Sequence, residues 1–232
     1  MEEMSPHSFI EEVLCGPQVK IRISNGSYEI PVSRRLLCKI SPYFTVMFEG
    51  NFLESETQTT TMGAVDGVIS EQGFERLVLW LYTGRLLFDI AEPSDRISAI
   101  IELARLCDMC GITTIHDKLV TKFVMTIVSN RNEEQPHTKH ITSEHVRSAA
   151  QLPPSHPTFV KLAQVLAAGI VEGGARSKFA KETQLYPKLG AVVLHQVRSI
   201  LNIIKPSYRG GQSGIYRDPI YNALKIIKPA NP

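Results

Sequence analysis

The chain has 232 residues, 43% hydrophobic and 21% charged, with a formal net charge of +2. At ~100–200 residues per domain this length fits one or two domains with a real core, and the near-balanced charge excludes the strongly basic face that nucleic-acid wrapping requires. No run of ~18 or more apolar residues predicts a membrane span. The acidic start Met1-Glu2-Glu3-Met4 argues against a signal or transit peptide, and Cys15, Cys38, Cys107 and Cys110 fit reduced thiols in a cytosolic or nuclear chain.

Ser8-Phe9-Ile10-Glu11 has the spacing of a capping box. It predicts a short helix with Phe9/Val13 and Ile10/Leu14 as apolar pairs, ended by Gly16-Pro17. From Gln18 to Ser24 the chain alternates, with Val19, Ile21 and Ile23 on one face and Lys20 and Arg22 on the other, as in a half-buried strand. Asn25-Gly26 is a hairpin signal, because both central residues need positive φ. Tyr28, Ile30 and Val32 return on a second strand, where Pro31 removes a ladder donor and marks an edge.

Leu36 to Ser55 reads as two short helices and a loop. Leu36, Leu37 and Ile40 share one face of the first. Ser41 is a preferred N-cap and Pro42 suits the first helical position. The second helix carries Tyr43, Phe44, Met47 and Phe48, and Gly50 is placed to end it in the left-handed conformation. Phe52-Leu53-Glu54 then falls on a loop, where an aromatic beside a carboxylate suggests a contact surface. The alternative is that Phe52 covers the core and Glu54 begins a strand.

Thr57 and Thr59–Thr61 have strand propensity, and Asp66-Gly67 makes a turn. Ser70 caps a helix whose Phe74, Leu77, Val78, Leu81 and Tyr82 form one apolar stripe, closed by Gly84. Fully buried, each such side chain is worth ~1.5–3 kcal/mol. Trp80 lies off the stripe's centre. A helix from Glu92-Pro93-Ser94 turns Ile97, Ile100, Ile101, Ala104 and Leu106 inward and ends at Gly111. Thr113 or Thr114 caps the next, with Ile115, Leu119, Phe123 and Ile127.

The polar stretch from Asn130 to His140 reads as a linker. Three helices follow, over Thr142–Gln151, Phe159–Ile170 and Leu189–Ile204. Lys205 to Pro232 is rich in Gly and Pro, holds five basic residues against one acidic, and reads as a mobile basic tail. Ile203-Ile204-Lys205-Pro206 recurs there as Ile226-Ile227-Lys228-Pro229.

Little in the chain carries chemistry. Cys107 and Cys110 have CxxC spacing, but a structural zinc wants four ligands and no second pair exists. They also end a helix, whereas an activated thiol favours the N-terminus. They read as packed core thiols. His137, His140 and His145 cluster beside Glu144 on a solvated polar segment that offers no oriented ligand set, and His116 reads as a capping or surface residue. No phosphate loop or nucleophile elbow is present, so neither an enzyme, a metal site nor a cofactor is expected.

Two stretches resemble a known family. Leu37, Ser41-Pro42-Tyr43-Phe44, Met47-Phe48-Glu49-Gly50 and Glu54-Ser55 are similar to the signature of BTB/POZ domains. Leu79-Trp80-Leu81-Tyr82-Thr83-Gly84-Arg85-Leu86 resembles its second hallmark, in its fungal form. The resemblance implies an α/β (α+β) fold, a small sheet flanked by helical hairpins, over residues 8–130. A linker (131–141), a helical C-terminal extension (142–204) and the flexible basic tail (205–232) would follow. Gln18 and Ser33 stand where the family usually has Asp and His, so the likeness stops short of the family's charged pocket.

The resemblance also implies a non-catalytic interaction module, cytoplasmic or nuclear. Its protein partners would include a second copy, paired through Phe9, Ile10, Val13 and Leu14 of the first helix. In the family, a hydrophobic residue, any residue, then Glu on the loop contacts a cullin scaffold. Phe52, Leu53 and Glu54 match that pattern, with Tyr43 and Met47 beside them. The expectation is a substrate adaptor for a cullin-type ubiquitin ligase. The alternative is a self-associating scaffold or transcription-linked protein without a ligase role.

Overall fold

A computed structural model describes residues 7, 10–24, 29–65, 67–129, 137–173, 178–204, 214–217, 220 and 224–227. They fall into two compact units, Met1–Asp89 with Ala99–Leu119, and Ile90–Ser98 with Val120–Pro232. The architecture is mixed α/β, a three-stranded sheet among many helices, as the sequence predicts.

In the first unit, the opening element α1 (Ile10–Leu14) is a single π-type turn, closed by the Cys15 N–H on the Ile10 carbonyl at 3.1 Å. The predicted α-helix is not what forms over these residues, because bonding five residues back replaces i,i+4 stacking. Ser8 and Phe9 lie outside the described residues, as does the side chain of Leu14.

Strand β1 (Gln18–Ile23) buries Val19, Ile21 and Ile23 and exposes the residues between. It pairs antiparallel with β2 (Glu29–Ser33), from Gln18↔Ser33 to Arg22↔Glu29. Strand β2 is an edge, as Pro31 requires. The turn predicted at Asn25-Gly26 lies outside the described residues, as does Tyr28. On the other side of β1 runs β3 (Thr59–Met62), parallel, from Lys20↔Thr59 to Ile23↔Met62. A parallel pair needs a long crossover. Three helices supply it: α2 (Arg34–Ile40), α3 (Pro42–Glu49) and α4 (Leu53–Thr57).

Ser33 caps α2, a role the sequence reading did not give it. The Ser41 cap read from sequence is formed: Ser41 caps α3, accepting from the Phe44 N–H at 3.3 Å with Pro42 in the first turn. The Ser41 hydroxyl also donates to the Cys110 carbonyl at 2.6 Å, tying the α2–α3 junction to a distant part of the chain. Gly50 departs from expectation. It ends α3 at φ −84°, ψ −164°, extended rather than left-handed. Glycine is required there by space, since a Cβ would lie 2.3 Å from the Val46 carbonyl oxygen.

Helix α5 (Glu71–Thr83) has the predicted ends, Ser70 as N-cap and Gly84 at φ +67°. Phe74 and Leu77 are fully buried; Val78, Leu81 and Tyr82 are half-buried. Trp80 is buried too, although it lies off the stripe. The Tyr82 hydroxyl accepts from the Ser33 N–H at 2.7 Å. Phe44 stacks on Phe48 at 6.1 Å and meets Phe74 edge-on at 6.4 Å, the aromatic centre of the unit. Such pairs add about 0.5–1.5 kcal/mol beyond area burial.

Helices α6 (Pro93–Met109) and α7 (His116–Ser129) contribute residues to both units, and every side chain predicted to face inward on them is buried. Cys107 and Cys110 are buried and unbridged. Burial pushes the Cys110 thiol up to about 12, and Cys107 is raised further, by burial and then by Cys110 and Asp108, so both stay protonated.

In the second unit, α8 (Ser143–Ala149), α9 (Pro157–Gly173) and α11 (Pro187–Ile204) are the three helices expected. Between them lies α10 (Ala180–Leu185), which the sequence reading omitted; α9 packs on α11. The segment read as a mobile tail carries regular structure. Strands β4 (Gly214–Arg217) and β5 (Leu224–Ile227) pair antiparallel, and β4 lies against α11. A polar, Gly-rich composition hid the strands, because their alternation spans only four residues each.

Candidate protein contact surface

Several exposed apolar side chains of the first unit lie on α3 and at the start of α4. Helix α3 turns Phe44 and Phe48 to the core. Its 3.6-residue period therefore sends Tyr43, Val46 and Met47 the other way. Tyr43 and Val46 are exposed, Val46 to 57%, and Met47 is half-buried. Just past the end of α3, Phe52 is 54% exposed and Leu53 70%.

Phe52-Leu53-Glu54 is not a loop, nor does Glu54 begin a strand. Phe52 is the N-cap of α4, in extended conformation, and Leu53 and Glu54 are its first turn. The Ser55 N–H and hydroxyl both donate to the Phe52 carbonyl, at 3.0 and 2.7 Å, which closes the turn that sequence reading missed. Acidic residues in a first helical turn also suit the helix dipole, and Glu54 and Glu56 both lie there. The ring of Tyr43 meets Phe44 edge-on at 5.1 Å. Its hydroxyl is raised above the usual tyrosine range, first by burial and then by Cys110 and the Glu54 carboxylate. Tyr43 and Glu54 thus share one electrostatic neighbourhood. Large apolar groups around one carboxylate can fill a partner's pockets while the charge fixes register.

Val46 belongs to this surface and was not singled out from sequence, although its i+3 relation to Tyr43 is visible there. Gln58, at the end of α4, was missed as well, and no sequence signal marks it.

The residues read as a pairing face on α1 are not all available. Ile10 is 52% exposed, but Val13 is fully buried within its own chain and cannot line a pairing face as the sequence suggested. Phe9 and the side chain of Leu14 lie outside the described residues.

The histidines correct a second reading. His137 and His145 are buried rather than solvated. His137 Nε2 faces the Glu172 carboxylate at 3.5 Å. His145 completes a capping box at α8, its Nδ1 accepting from the Thr142 N–H at 3.1 Å while the Thr142 hydroxyl accepts from the His145 N–H at 3.3 Å. Its Nε2 lies 2.8 Å from the Ser98 hydroxyl, a juxtaposition of nucleophile and base absent from the sequence reading. The tautomer disarms it. With Nδ1 accepting, the ring proton is on Nε2, which donates to Ser98 and cannot take its proton. Among the described residues, no group of three or more His, Cys, Asp or Glu side chains is placed to hold a metal, and no helix is long and apolar enough to cross a membrane.

The fold is that of a small sheet among helices, and comparison with known families agrees: residues 15–124 match the BTB/POZ domain, a match that supports a protein-interaction module. Among characterised proteins, the chain is similar to Kelch-like protein 38 of Mus musculus, 29% identical over 93 residues, and to Kelch-like protein 38 of Rattus norvegicus, 28% identical over 93 residues. Each match takes in 39% of this chain and 15% of the relative, so the chain covers only a small part of their length.

Proposed function

We propose that this chain is a non-catalytic, dimerising adaptor that docks on a cullin-type ubiquitin ligase scaffold through α3 and α4, in the cytoplasm or nucleus. The observation that carries the reading is the exposed set Tyr43, Val46, Phe52 and Leu53 beside the Glu54 carboxylate. The BTB/POZ match and the Kelch-like relatives support it. In this reading residues 8–130 are the docking domain and residues 142–204, with the segment beyond, hold the substrate. The fungal-type reading rests on Leu79–Leu86 and on the placement of that extension.

Capture by a purified cullin N-terminal domain tests the docking. Wild type is expected to be retained, and Glu54→Lys to lose retention with its melting temperature unchanged. A wild-type chain that is not captured removes the cullin reading. A self-associating scaffold without ligase contact is the second reading, favoured by the exposed Ile10 on α1.

A further inference from the structure

We propose that Gln58 is the positioning residue of the α3–α4 contact surface, an inference that rests on the docking reading above. Helix α4 has five residues and buries none of its own side chains. A helix that short does not hold itself in water, and it lacks a core face to fix it. Yet it carries Leu53 and Glu54, and its N-cap is Phe52.

What holds α4 is the residue after it. Gln58 stands at φ 52°, ψ 30° and is the one non-glycine residue with positive φ among those described. Glutamine has no intrinsic liking for that region, which favours glycine, asparagine and aspartate. There its N–H caps the Glu54 carbonyl at 2.9 Å, and its own carbonyl accepts from the Lys20 N–H at 2.9 Å, where the β1–β3 ladder begins. The left-handed turn thus converts α4 directly into β3.

The side chain completes the arrangement. Gln58 Nε2 donates to the Ser55 carbonyl inside α4 at 2.6 Å and to the Phe48 carbonyl at the end of α3 at 3.3 Å. Gln58 Oε1 accepts from Arg34 Nη1 at the start of α2 at 3.3 Å. One carboxamide therefore uses both amide protons and its oxygen to fix three helices against each other. Backbone strain that persists in a folded chain marks a place the surroundings over-determine. Here the surroundings are those that aim Phe52, Leu53 and Glu54.

The test uses the full chain carrying Gln58→Gly, which accepts the left-handed backbone but has no carboxamide, and Gln58→Ala as a second variant. In Gln58→Gly, amide hydrogen exchange over residues 55–58 is expected to speed up about tenfold while β1 and α5 keep their protection. Its melting temperature should stay near that of wild type, because glycine relieves the strain it inherits. Capture by the cullin N-terminal domain should weaken about tenfold in both variants. Unchanged exchange in α4 overturns the proposal, and so does faster exchange with wild-type capture. If wild type itself is not captured, the docking reading falls, and exchange alone decides whether Gln58 holds α4.

Discussion

At Gly50 the chain leaves α3 against its own backbone. A methyl group there would sit 2.3 Å from the Val46 carbonyl oxygen and 3.3 Å from Phe52 Cδ2. Backbone cannot rotate aside as a side-chain end can, so Gly50→Ala must open the α3–α4 junction. The expected cost is about 1–3 kcal/mol, the range for overpacking, read as a lower urea midpoint with unchanged slope. The same residue shows how sequence reading works at this scale. That glycine belongs after Glu49 was legible, because a helix needs a stop. Why it belongs was not, since the stop is made by a carbonyl close in space and not by a positive φ. Ser41 is similar. Its capping bond to Phe44 is local and readable, while its bond to Cys110 joins positions that only the fold brings together.

At the scale of the element, α8 is a helix whose start depends on an imidazole. A capping box ordinarily uses Glu or Gln at the third position; here His145 takes it. Burial lowers the His145 pKa, against smaller opposing effects from the Ser94 backbone, Glu144 and Asp95, with Lys178 adding to the lowering. A histidine held below its ordinary value binds fewer protons folded than unfolded. Its contribution is therefore present above the unfolded pKa of about 6.5 and is lost as pH falls through the folded value. Urea midpoints measured from pH 8 down to pH 5 should decline in wild type. His145→Gln keeps an acceptor for the Thr142 N–H but cannot titrate, so its decline should be shallower. Parallel curves would show that His145 does not carry this dependence. The polar segment around these histidines looked solvated in sequence because no apolar period covers it. Burial came instead from partners far along the chain, Glu172 for His137 and Ser98 for His145. The long helices were the legible part. Their stripes repeat three or four times, so the period is well determined, whereas α4, α10 and the β4–β5 strands are too short to show one.

For the whole molecule, pairing is the property that sizing can decide. Static light scattering of wild type should give twice the chain mass if the dimerising reading holds. Ile10→Asp changes an exposed side chain on α1 and should halve that mass with the melting temperature unchanged. Equal masses for wild type and variant would sink pairing through α1. Val13→Asp is the wrong probe. Val13 is fully buried, so an aspartate there places an unpaired charge in the core and unfolds the chain whether or not it pairs. The BTB/POZ half was readable because its two hallmarks are local strings. The order of the sheet was not, because β3 joins β1 across 35 intervening residues and a Thr-rich string says nothing of its neighbour.

That crossover has a consequence for a chain still being synthesised. Tyr43, Val46, Phe52 and Leu53 leave the ribosome before residues 59–62, the strand that slots beside β1 and locks the Gln58 corner. Until that strand arrives, these exposed groups are made but the corner that positions α4 is not closed. On the docking proposal, a polypeptide truncated ahead of residue 59 would carry every one of those groups and still fail to present them, so competence for a partner would come with completion of the sheet.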